Sequence, residues 1–166
     1  LHKEYRRQRQ MCIRDRRDDV RLIEAVRRGV GDDYRFMIDA NHAYTTHDAF
    51  YVGRAMEEFE PYWFEEPVAP EDLDGYRELR QGLRVNISGG EAEFNRWGWR
   101  ALLESRGLDI AQPEVCALGG ISEYLRVLAL CHAHFTPVVN HVWGSAIAVA
   151  TNCLLYTSPS PRDLST

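Results

Sequence analysis

Apolar runs and polar residues alternate along this chain with a long, nearly constant period. Each of five apolar runs ends in one acidic or imidazole side chain: Asp39 after Phe36-Met37-Ile38, Glu65 after Tyr62-Trp63-Phe64, Glu91 after Val85-Asn86-Ile87-Ser88-Gly89-Gly90, Glu114 after Ile110-Ala111-Gln112-Pro113, and His141 after Val138-Val139-Asn140. The steps are 26, 26, 23 and 27 residues. A strand, a helix and two short loops occupy roughly 30 residues in a parallel (β/α) barrel. The repeat therefore predicts successive βα units with the five polar residues at the carboxyl ends of the strands, the end that carries the chemistry in such barrels.

The intervening segments read as helices. Val20, Ile23 and Val26 fall at helical spacing among Arg and Glu, predicting a solvated amphipathic helix over 20–28. Further helices are predicted over 49–59 behind Thr46 or Asp48, over 71–80 behind Pro70, over 97–104 behind Asn95, and over 122–134 with Ser122 as its cap after the Gly119-Gly120 turn. One more starts near Ser145. Strands alternating with helices favour a parallel sheet with right-handed crossovers. The fold class predicted is α/β, a partial TIM-type barrel of about five βα units.

Composition changes the picture little. The chain has 166 residues, 45% of them hydrophobic, enough for a core. No apolar run approaches the ~20 residues needed to span a bilayer, and no apolar stretch follows the basic amino end as a secretory signal requires. Cys12, Cys116, Cys131 and Cys153 lack metal-type C-x-x-C spacing and read as free thiols of a reducing cytoplasm. The net charge of −5 is uneven: residues 1–17 carry +5 and the rest −10. That basic arm has no aromatic interleaving, so nucleic acid is not the expected partner. Residues 1–17 and 153–166 resemble translated sequencing-adapter read-through, which leaves 18–152 as the expected domain and gives neither end a function.

Read singly, the polar residues keep ordinary alternatives. Asp39 could cap the Asn41 turn. Glu65 and Glu66 are neighbours, so on a strand they face opposite ways, and Glu66 reads as the partner of a buried Arg or a backbone amide. Glu91 and Glu93 compete similarly. His132 and His134, near a helix C-terminus, read as structural.

Taken together, Ile38-Asp39-Ala40-Asn41, Trp63-Phe64-Glu65-Glu66-Pro67, Gly89-Gly90-Glu91, Gln112-Pro113-Glu114 with Gly119-Gly120, and Asn140-His141-Val142-Trp143-Gly144 resemble the barrel of the mandelate racemase/muconate lactonizing enzyme family of the enolase superfamily. Within it they look most like galactarolactone cycloisomerases and acid-sugar dehydratases. The resemblance implies Mg²⁺ ligands at Asp39, Glu65 and Glu91, a general base at His141, and Glu114 as its partner where the family has Asp. It also implies substrate contacts from Asn41, His42 and Trp143. Three carboxylates suit a hard cation that leaves room for substrate and water. Such a cation offsets the charge of an enolate made by α-proton removal, and an imidazole can accept that proton near neutrality.

The family's second base is a Lys on a strand that would end shortly before residue 18; Lys3 is the only lysine in the chain. No Lys lies between Pro113 and Gly119, which favours the histidine branch. The expectation is a fragment of a Mg²⁺-dependent cytoplasmic lyase or isomerase acting on a sugar acid or its lactone, homo-oligomeric as the full parent and inactive as the fragment. The alternative is a catalytically silent barrel segment that binds a divalent cation or an anionic metabolite.

Overall fold

A computed structural model describes residues 16–157. The element order is α1 (Arg16–Val30), β1 (Ile38–Asp39), α2 (Thr46–Met56) running into a 3₁₀ turn (Glu57–Phe59), β2 (Trp63–Glu65), α3 (Leu73–Gly82), β3 (Asn86–Gly89), α4 (Arg96–Ser105), β4 (Ile110–Ala111), α5 (Ile121–Ala133) and α6 (Ala146–Thr157). The fold is α/β with parallel strands, as the repeat predicts. Most of the basic arm and of the Ser/Pro tail lies outside the described residues. The parts within, Arg16-Arg17 and Cys153–Thr157, are helical and continuous with α1 and α6.

The chain divides into two units. One runs to Ser88 and includes Ser105–Asp109; the other takes Gly89–Glu104 and everything from Ile110. In the first, β1 pairs β2 with Ile38 opposite Phe64 and Asp39 opposite Glu65, and β2 pairs β3 with Phe64 opposite Ile87 and Glu65 opposite Ser88. Side chains alternate across a strand, so Phe64 and Ile87 share one face while Trp63, Glu65 and Ser88 share the other. Phe64 and Ile87 are fully buried with Val52, Met56 and Leu79, each burial stabilising by about 1.5–3 kcal/mol.

Arg27, read from sequence as part of a solvated face, ties this unit together. Its guanidinium donates to the carbonyls of Phe59, Gly31, Tyr34 and Glu60 and stacks 4.4 Å from the Phe36 ring centroid. It thereby satisfies carbonyls left over at two helix ends.

In the second unit Trp99, Val127 and Cys131 are fully buried, with Tyr124 and Val115 nearly so. The predicted fifth strand is reduced to parallel bridges, Ala111 to Val138 and Glu114 to His141. Ala111 N donates to Pro137 O, Val139 N to Ala111 O and His141 N to Pro113 O, so the ladder is present but too interrupted to count as a strand. Helix starts also differ in detail. Thr45 caps α2 and Asp72 caps α3, each accepting from a backbone N–H in the first turn. Asn95, which the predicted helix follows, accepts from Trp97 N and Gly98 N and caps α4. Ser122 caps nothing: α5 starts from Gly120 at φ 126°, ψ −179° with no side-chain cap. Among the described residues no helix is long and apolar enough to cross a membrane.

Arg96 at the start of α4 grips Glu123 in the first turn of α5, Nε to Oε1 at 2.7 Å and the terminal amine to Oε2 at 2.6 Å. Hydrogen bonding by Arg96 is the largest cause holding the Glu123 carboxyl down at about 2, against an ordinary 4.5. A lowered carboxyl contributes stability above its unfolded value and loses it as pH falls toward the folded one. We expect the urea midpoint of the wild type to exceed that of Glu123→Gln above pH 4.5, and the gap to close between pH 4.5 and 2. A gap independent of pH would show that the ion pair is not its source.

Candidate functional site

The predicted residues gather in two groups, one in each unit. In the second unit His141 stands between two carboxylates: Nδ1 is 3.0 Å from Glu114 Oε2, and Nε2 is 2.9 Å from Glu91 Oε2. The imidazole is only 22% exposed. Glu114 is 5% exposed and fully occupied: Oε2 also accepts from Trp143 N at 3.0 Å, and Oε1 accepts from Cys116 N at 2.9 Å. The Glu114 side chain therefore reaches the imidazole. It also pins the two loops that flank it, so the ring is held at a fixed orientation from the buried side.

Asn140, just before His141, is anchored as well. Its Oδ1 accepts from the buried Tyr124 hydroxyl, and its Nδ2 donates to Asn152 O at 3.4 Å. Burial, followed by the charges of Cys131 and Glu114, pushes the Tyr124 hydroxyl up from its ordinary range, so it serves as a neutral donor. The Cys116 thiol is also raised, by desolvation first and by Glu114 next; that disfavours the thiolate a nucleophile needs. Glu93, the competitor of Glu91, lies against Gly98 where α4 begins. Trp143, expected to contact substrate, is 79% exposed.

In the first unit Asp39 and Glu65 are register partners at the ends of adjacent parallel strands, so their carboxylates share a face. Asp39 Oδ1 accepts from Asn41 N at 2.8 Å, and Glu65 Oε2 accepts from Trp63 Nε1 at 2.8 Å. Ser88, the register partner of Glu65, is fully buried and its hydroxyl has no hydrogen-bond partner. Two carboxylates on one face are hard oxygen donors of the kind that Mg²⁺ prefers, and an orphaned buried hydroxyl lies in the same row. Among the described residues no three His, Cys, Asp or Glu side chains are arranged to hold a metal ion. Of the expected ligand trio, the register brings Asp39 and Glu65 together, while Glu91 belongs to the other unit and is placed on His141.

Glu66 meets an imidazole. Its carboxylate, 1% exposed, lies 2.8 Å from His42 Nε2, and His42 Nδ1 lies 3.2 Å from Val68 O. Asn41, His42 and Glu66 all have positive φ (46°, 62° and 41°), so the two strand ends turn through left-handed residues, locked by His42 N donating to Glu66 O. Both ring nitrogens of His42 face protein partners, which makes it a brace between the two loops. Neither this brace nor the Trp63 to Glu65 bond was found from sequence. The i, i+2 spacing of Trp63 and Glu65 on one strand face was the signal available for the second.

The family model described as "Enolase C-terminal domain-like" matches residues 3–164. The D-galactarolactone cycloisomerase of Agrobacterium fabrum is 40% identical over 144 residues, covering 87% of this chain and 38% of that protein. The arabinonate dehydratase of Saccharolobus solfataricus is 32% identical over 135 residues, covering 81% of this chain and 36% of that protein. Among solved structures, the 3,6-anhydro-D-galactonate cycloisomerase from Zobellia galactanivorans superposes with a TM-score of 0.83 at 42% identity, covering 85% of this chain and 40% of that one. The chain thus spans well under half the length of the relatives it matches.

Proposed function

The chain belongs to the enolase C-terminal domain-like family, and on that premise we propose that it is the barrel part of a longer Mg²⁺-dependent enzyme. That enzyme removes the α-proton of a sugar-acid carboxylate or its lactone. The observation that carries this reading is the clamped imidazole of His141, fixed at Nδ1 by Glu114 and facing Glu91 at Nε2. Nε2 is the nitrogen presented to the less buried side. To accept a proton it exchanges Glu91 for the substrate, while Glu114 keeps the ring oriented and supports the charge it gains.

Asp39, Glu65 and Glu91 would hold the cation. When bound, Mg²⁺ supplies Lewis-acid charge that offsets the negative charge developing on the substrate carboxylate. Asn41 and Trp143 would contact the substrate hydroxyls and ring. His42, with its nitrogens committed to Glu66 and Val68, would contribute the shape of the loop. Loss of the β-hydroxyl as water gives a dehydratase; opening of a lactone ring gives a cycloisomerase. Both activities occur among the similar proteins, the first in the arabinonate dehydratase and the second in the galactarolactone cycloisomerase.

The test is a panel of aldonic and aldaric acids and their lactones given to the full-length protein in D₂O and followed by NMR. We expect deuterium at the α-carbon and product formation with Mg²⁺, loss of both on chelation, and recovery when Mg²⁺ is restored. Turnover indifferent to chelation would overturn the metal assignment. Saturable binding of an acid sugar with no exchange would favour the catalytically silent segment instead.

A further inference from the structure

Glu65 does not stand alone on its strand face. Trp63, two residues earlier, is 9% exposed, and its indole N–H donates to Glu65 Oε2 at 2.8 Å. Across the parallel pair, Ser88 is the register partner of Glu65, on the same face and about 4.8 Å away in the hydrogen-bonding direction. Its side chain is wholly buried and its hydroxyl has no partner. A buried hydroxyl without a hydrogen bond costs about 1–3 kcal/mol. A serine hydroxyl changes its aim by rotation about a single bond, with no movement of the strand.

We propose that Trp63 and Ser88 are positioning residues for the Glu65 carboxylate when it ligates a divalent cation. Trp63 fixes one oxygen through its indole N–H, and Ser88 supplies a second donor once the carboxylate turns toward the ion. Carboxylates that ligate metals are held by such outer donors, and removing one typically costs about 10–100-fold in metal affinity. The proposal rests on the reading of Glu65 as a ligand and assigns what orients it.

The four indole N–H signals of Trp63, Trp97, Trp99 and Trp143 provide a readout that needs no activity. Trp63→Phe, which keeps an aromatic ring but removes the donor, assigns its signal. Mg²⁺ titration of this chain should move the Trp63 indole signal most of the four, and Glu65→Gln should suppress that movement. Trp63→Phe and Ser88→Ala should each weaken Mg²⁺ binding about tenfold or more by calorimetric titration. The Ser88 variant is the cleaner test, since loss of one buried hydroxyl leaves the packing intact. Saturable Mg²⁺ binding with an unmoved Trp63 signal and wild-type affinity in both variants would overturn this inference and leave the cation reading standing. No saturable binding by the wild type would overturn both.

Discussion

His141→Asn in the full-length enzyme should abolish exchange of the substrate α-proton with solvent deuterium on one face. A positioned general base is worth about 10²–10⁴-fold in rate, and asparagine keeps approximate size and polarity while losing the basic nitrogen. Mg²⁺ affinity should survive, because His141 is not among the proposed ligands. Glu114→Gln should do less. The carboxylate accepts three N–H groups, from His141, Trp143 and Cys116; an amide offers one acceptor oxygen and an NH₂ that must face at least one of those donors. The ring would be loosened and its basicity lowered, with the base itself still present. Glu91→Gln should lower both Mg²⁺ affinity and turnover, since it removes a charged ligand as well as the group facing Nε2. Exchange measured by NMR beside a metal titration separates the three. If the His141 variant exchanges at the wild-type rate, the base lies elsewhere.

Much of this was legible in the sequence because the informative signal was periodic. A step of 23–27 residues between strand-end polar groups predicts parallel βα units whatever the residues between them, and strands at Asp39, Glu65, Glu91 and Glu114 appear at or within two to three residues of those marks. The His141 to Glu114 contact was also accessible, since residues at the ends of neighbouring parallel strands must lie side by side. What was not legible depends on side-chain reach and on which donors a fold leaves over. Arg27 reads as an exposed helix residue until four leftover carbonyls surround it. His42 reads as a ligand-facing histidine until two left-handed turns bring Glu66 and Val68 to its ring. Ser122 reads as the cap of α5, but Gly119-Gly120 solves the turn by backbone freedom, which makes a serine cap unnecessary.

Gly90→Ala should destabilise the second unit by about 3 kcal/mol or more, combining two independent costs. The first is conformational: Gly90 has φ +110°, a region where a side chain costs of order 1–3 kcal/mol. The second is steric. A methyl group on Gly90 would stand well inside van der Waals contact with Trp99 Cη2 and 2.6 Å from Cζ2. Trp99 is fully buried, so its ring cannot swing away without disturbing the packing around it, and overpacking of this kind costs about 1–3 kcal/mol. Function should fall with stability, because Gly90 immediately precedes Glu91 and any shift that relieves the clash displaces the carboxylate facing His141. A double-mutant cycle with Trp99→Phe separates the two costs. The smaller ring removes the atoms nearest the added methyl, so Gly90→Ala should cost less in the Trp99→Phe background than in the wild type, by the steric share alone. The residue that remains is the backbone strain, and no change at Trp99 relieves it. Urea denaturation of the four proteins measures each term. Equal costs of Gly90→Ala in both backgrounds would mean that the tryptophan ring has room to move and that only the backbone conformation demands glycine there.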